Sequence, residues 1–141
     1  ARRDYLHDHR LCAVSETALP LVYACSGCSS AAQMANHLAL RMDREKRAEM
    51  SCISGVGGGV AALVRTARSG RPILALDGCA MVCVAHCLQR AGVVADSHVV
   101  LGEVGVRKRK HADFDLTEAE RVYVEVVLPA AHELAARGTA A

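Results

Sequence analysis

Apolar positions along this chain follow two alternating periods. Pro20-Leu-Val-Tyr-Ala-Cys25 and Ile73-Leu-Ala-Leu-Asp77 are short unbroken apolar runs, the pattern of strands buried on both faces. His98-Val-Val-Leu101 is a third such run, and Met50-Ser-Cys-Ile53 a fourth, very short one. Between the runs, apolar residues return every three or four positions, as on the buried face of a helix. Ala31, Met34, Ala35, Leu38 and Met42 do so after the first run, with Ser29 or Ser30 as N-cap. The charged stretch Asp43-Arg-Glu-Lys-Arg47 closes that helix. Val60, Leu63, Val64 and Ala67 mark another, entered through the turn Gly55-Val-Gly-Gly-Gly59. A further helix is expected from about Cys79 to Arg90. Gly70, before Arg71-Pro72, and Gly92 read as left-handed C-caps. Thr117-Glu-Ala-Glu120 matches a capping box that opens a final helix. Val122-Tyr-Val-Glu-Val-Val127 has strand propensity, but Val122, Val126, Ala130 and Leu134 form an i, i+4 stripe that favours helix, with Pro129 expected to kink or split it.

Four strand–helix alternations predict an α/β fold: a small parallel sheet of about four strands with helices on both faces, a Rossmann-like three-layer arrangement. Residues 19–141 read as a single domain and residues 1–18 as an irregular N-terminal arm. The segment Arg107-Lys-Arg-Lys-His111 reads as a mobile loop.

Composition narrows the function. The chain has 141 residues, 52% of them hydrophobic, enough for a real core without disulfide staples. One Phe, three Tyr and no Trp are poor material for a base-stacking surface. A net charge of +2 gives no reason to expect a nucleic-acid or membrane partner. The N-terminal stretch lacks the apolar core of a signal peptide, and no apolar run spans a bilayer. A cytoplasmic location is therefore expected. Seven cysteines in close spacings then favour metal binding or thiol chemistry over structural disulfides.

Six of the seven, Cys25, Cys28, Cys52, Cys79, Cys83 and Cys87, follow or end the apolar runs. In open parallel sheets, sites form beyond the C-terminal ends of the strands. A thiolate cluster there points to a metal ion as the bound partner. Cys25, Cys28 and Cys79 are expected near helix N-termini, where thiols ionise readily. On one continuous helix, Cys79, Cys83 and Cys87 would step round by only ~40° each and share a face. His86 would return to it as a nitrogen ligand or an outer-shell donor. The four-residue step from Cys79 to Cys83 fits neither a zinc finger nor a zinc ribbon. Cys12, in the arm, and Cys87, a turn deeper, also suit plain packing.

Other features are weaker. Gly57-Gly-Gly-Val-Ala-Ala62 matches a phosphate-cradling pattern in form, but a tight turn passing close to the metal site explains it more simply. Asp77 is expected to hydrogen-bond its loop rather than act as a base. Arg107 to His111 reads as a solvated charge run.

Three segments carry a family resemblance: Tyr23-Ala-Cys-Ser-Gly-Cys-Ser29, Met50-Ser-Cys-Ile-Ser-Gly-Val-Gly58 and Ala75-Leu-Asp-Gly-Cys-Ala-Met-Val-Cys83. They resemble the DGC-domain family, named for the tripeptide found here at Asp77-Gly78-Cys79 and described as zinc-binding. Weaker similarity runs through Leu88 to Gly92 and Lys110 to Phe114, so the resemblance spans about residues 20–125. It implies a cysteine-ligated metal, most often zinc, and its best-matched cysteines fall on Cys25, Cys52, Cys79 and Cys83. Ala80 stands where relatives often carry proline, which should not affect ligation. The family has no settled activity, so whether the chain is an enzyme stays open, as does any protein partner. Three readings remain. The first is a zinc-binding metal carrier or sensor. The second is an iron–sulfur cluster protein, since Cys25 to Ser29 is also similar to the cluster-binding segment of the small subunit of nickel–iron hydrogenases. The third is a thiol–disulfide redox enzyme using Cys25 and Cys28.

Overall fold

Alternate residues of a strand face opposite sides of its sheet, and here both sides are apolar. The computed structural model describes residues 19–139; the expected arm at 1–18 and Cys12 lie outside them. Strand β1 (Leu21–Ala24) sends Leu21 and Tyr23 to one face and Val22 and Ala24 to the other. Strand β3 (Ile73–Asp77) does the same with Ile73 and Ala75 against Leu74 and Leu76. Strands buried this way need helices on both sides, and the chain supplies them. Helix α1 (Ser30–Arg44) covers the Val22 face together with α5 (Leu116–Val122) and α6 (Leu128–Thr139). Helices α2 (Ile53–Gly57), α3 (Ala61–Ala67) and α4 (Cys83–Arg90) cover the Tyr23 face.

The sheet is parallel throughout, with strand order β2-β1-β3-β4, where β2 is Glu49–Met50 and β4 is Ser97–Val100. From β1 the chain turns one way to β2, then crosses to the other side of β1 to form β3. The C-terminal ends of β1 and β3 therefore flank the point where strand order reverses, the place where such sheets open a crevice. The expected fold class is the observed one.

Several element boundaries differ from the sequence pattern. Strand β2 lies earlier than Met50–Ile53 and is only two residues long. Ser51 N–H still donates to Val22 O at 3.2 Å, but Cys52, expected within the strand, is the N-cap of α2, which runs into the expected Gly55–Gly59 turn. A Cβ at Gly55 would lie 2.0 Å from Leu63 Cδ1 of α3, so any side chain there would have to displace Leu63. The helix expected from Cys79 begins at Cys83 instead. Val82, with φ 44°, turns the chain through the left-handed region first. The cap of α5 is Asp115 rather than Thr117, with Asp115 Oδ1 accepting from Glu118 N–H at 2.8 Å. Gly70 and Gly92 do take positive φ, as C-cap glycines should.

The contested stretch after Val122 is helical. Tyr123–Val127 forms a π turn, closed by Leu128 N–H donating to Tyr123 O five residues back. Pro129 comes directly after it and has no N–H to give. The widened turn lets the helical path continue into α6, so the expected kink or split takes the form of a π segment.

Candidate metal centre

Cys25 is the first residue past β1. Its N–H continues the ladder to Leu76 O at 3.1 Å, and its Sγ accepts from Gly78 N–H at 3.2 Å. The thiol is thus held between the ends of β1 and β3. Gly78 has no room for a side chain, since a Cβ would lie 2.7 Å from the carbonyl carbon of Ala31 in α1. The missing side chain lets the turn after β3 press onto the first turn of α1.

Asp77 organises the chain beyond β3. It is 1% exposed, and its Oδ1 accepts from Val84 N–H at 2.9 Å. Oδ2 lies 3.4 Å from Ala85 N and 2.8 Å from His98 Nε2. The carboxylate therefore caps α4 from outside it and fixes the loop Cys79–Val82 at both ends. This is the structural role expected of Asp77. The histidine partner was not apparent in the sequence, because only strand register brings β4 beside β3.

The segment expected to be a mobile charged loop is tied across the cysteine turn. Lys110 bridges to Ser29, Ser30 N–H donates to Arg109 O at 2.9 Å, and His111 N–H donates to Cys28 O at 3.2 Å. Ser30 Oγ in turn accepts from Arg109 N–H at 2.9 Å. Ser29 and Ser30, buried at the start of α1, are the anchor. This docking carries Lys108 Nζ to 3.3 Å from Cys79 Sγ and 3.9 Å from Met81 Sδ.

The result is a pocket of about 200 Å³ lined by Cys25, Cys28, Cys79, Cys83 and Met81, with Lys108 and Lys110 at its edge. Four thiols and one thioether make a soft donor set, suited to thiophilic metals rather than to magnesium or calcium. Cys25 is half-buried while Cys28 and Cys83 are exposed, so the pocket is open to solvent. All six cysteines within the described residues are free thiols. Among the described residues, no three His, Cys, Asp or Glu side chains stand close enough together to hold a metal ion as arranged. The donor types fit a metal, and closing the thiols around one requires a local adjustment.

The two remaining candidates are not among the residues that line this pocket. Cys52 caps α2, and its Sγ is 3.1 Å from Ser54 Oγ. That hydrogen bond and the N–H groups of Gly55 and Ser54 hold its pKa below the ordinary thiol value. Cys87 is one turn beyond Cys83 on α4 and packs against Gly57, where a Cβ would lie 2.7 Å from its Sγ. Burial raises its pKa, and Cys83 and Asp77 add to the effect. The Gly-rich turn thus passes beside the outermost cysteine of α4. His86 is exposed and outside the pocket lining. Its expected alignment with Cys79 fails because Cys79 precedes the helix.

Cys25 corrects a second expectation. It directly follows a strand instead of starting a helix, and burial pushes its pKa up to about 11. The Gly78 N–H pulls the other way, while Asp77, Cys83 and Cys79 push further up. At neutral pH it is a protonated thiol.

A parallel three-layer α/β domain with cysteine turns at its strand-order reversal defines the structural class. The DGC domain model matches residues 21–126, and the chain belongs to this family. It is 62% identical over 108 residues to a Pseudomonas aeruginosa protein named anaerobic and virulence modulator AnvM, covering 77% of this chain and 82% of that one. No solved structure matches it. Among the described residues, no helix is long and apolar enough to cross a membrane.

Proposed function

We propose that the chain binds a thiophilic metal, zinc in the first instance, through Cys25, Cys28, Cys79 and Cys83, and acts as a metal carrier or sensor. The observation that carries this reading is the convergence of two cysteine turns, after β1 and after β3, on one small pocket. Four thiolates around a divalent ion leave a formal charge of about −2. Lys108 and Lys110 at the rim offset that charge. Binding must also displace the proton that Cys25 holds at neutral pH, so uptake is coupled to proton release.

Exposure of Cys28 and Cys83 favours exchange over a sealed structural site. The relative's name refers to anaerobic conditions, and a metal held by accessible thiols responds to oxidants. That favours a sensor. Free thiols suit the reducing cytoplasm. An iron–sulfur cluster would use the same ligands, and a Cys25–Cys28 redox pair would use half of them.

Zinc titration of the reduced protein against a colorimetric chelator tests the reading. One zinc per chain is expected, with Cys25→Ser or Cys79→Ser weakening retention at least tenfold. Cys52→Ser should leave it within about twofold, because Cys52 lies outside the pocket lining. Loss on Cys52→Ser, with Cys28→Ser silent, would instead support the ligand set implied by the family resemblance. Stoichiometric iron and sulfide would favour the cluster.

A further inference from the structure

A second concave site lies on the Tyr23 face of the sheet. It is a cleft of about 470 Å³ whose lining includes Gly57, Gly58, Gly59, Arg65, Arg68 and Arg90. Among the described residues, no carboxylate lines it. None of its three arginines pairs with a described acidic side chain, whereas Arg41, Arg71, Arg121 and Arg137 each do. Arg68 is fixed by Nε donating to Ala91 O at 2.6 Å. Among the described residues the cleft thus gathers three exposed guanidinium groups and no carboxylate, a concave surface of one charge sign.

We infer that this cleft is a binding site for a phosphate-bearing small molecule. Planar guanidinium groups bind phosphate oxygens in pairs, and three around one cleft suit a phosphate better than a single carboxylate. The glycine rim fits the same ligand. Gly59 takes φ +75°, and nothing lies within 4 Å of where its Cβ would be. A bulky oxygen cluster can therefore approach the backbone there. The volume exceeds what inorganic phosphate fills and lies within the range of small-molecule sites, roughly 300–1,000 Å³. Ala61 and Val64 supply an apolar part of the lining, which suits an organic phosphate over the free ion. This site is separate from the cysteine pocket, although Gly57 also backs Cys87. The Gly-rich stretch, explicable from sequence as a plain turn, gains a ligand role once Arg65, Arg68 and Arg90 are seen beside it.

Calorimetric titration of the full chain with inorganic phosphate, pyrophosphate and adenosine monophosphate, at constant ionic strength, tests the assignment. Saturable binding is expected, with the nucleotide at least threefold tighter than inorganic phosphate. Arg65→Gln and Arg90→Gln should each weaken it at least fivefold. Both side chains are exposed, so the fold should tolerate the changes. Arg107→Gln/Arg121→Gln, on a different surface where arginines stand beside Asp115 and Glu118, should leave binding unchanged. Amide shifts of Gly57, Gly58 and Gly59 on titrating the unaltered protein give a readout independent of variants. Absent saturation, equal loss in the control variant, no movement of the glycine amides, or a nucleotide no tighter than phosphate would each overturn the proposal.

Discussion

Gly78 decides how closely β3 can approach α1. A methyl group there would meet the backbone of Ala31 and Ala32 at 2.7–2.8 Å, and backbone cannot swing aside as a flexible side chain can. Gly78→Ala should therefore cost about 1–3 kcal/mol, the usual range for forced overpacking. Urea denaturation would read this as a lower midpoint with little change in slope, and an unchanged midpoint would contradict it. The same substitution should disturb the pocket, since Gly78 N–H is the donor to Cys25 Sγ. The sequence showed that Asp77-Gly78-Cys79 sat at a strand end. It could not show that Asp77 reaches past six residues to accept from Val84 N–H and cap α4, or that burial keeps Cys25 protonated. Both depend on what packs above the strand, and apolar periodicity does not report that.

Between elements, α1 is joined to the π segment by a polar cluster. Tyr123 Oη donates to Glu45 Oε2 at 2.9 Å, Arg41 lies 3.8 Å over the Tyr123 ring, and Arg41 bonds both Glu45 and Glu120. Burial, then the hydrogen bond to Glu45, raises the Tyr123 pKa to about 12. The same bond, with Arg41, holds Glu45 below the ordinary carboxylate value. The tyrosine contribution is thus present below the unfolded value of ~10 and lost as pH rises through the folded one. The glutamate contribution is present above ~4.3 and lost as pH falls. Tyr123→Phe should cost about 1 kcal/mol near neutrality, discounted for the exposure of Glu45. Its deficit should shrink at both ends of a pH series of chemical denaturation, and a deficit independent of pH would contradict the cluster. The long apolar runs and the C-cap glycines identified most elements correctly, because burial on both faces and positive φ leave local marks. Element starts were less legible. Strand β2 is held by two paired residues, and α4 begins late because of a left-handed Val82 that no sequence rule anticipates in a β-branched residue.

At the scale of the molecule, strand order is what gathers the thiols. Cys25 and Cys79 are far apart in sequence, but β1 and β3 are neighbours, so their turns share one pocket. Parallel strand–helix units were enough to anticipate this much. They did not anticipate which cysteines line that pocket, nor the arrival of Lys108, because both depend on chain paths after the strand ends. The basic segment reaches the cysteines through Ser29 and Ser30, residues whose evident task in sequence was helix capping. The proposed metal site takes four thiols from two turns around one ion. X-ray absorption at the zinc edge, on zinc-loaded protein kept anaerobic, tests it most directly. An all-sulfur shell of four scatterers near ~2.3 Å is expected, reduced by one sulfur in Cys28→Ser. A shell dominated by nitrogen or oxygen, or a four-sulfur shell unchanged in Cys28→Ser, would contradict it.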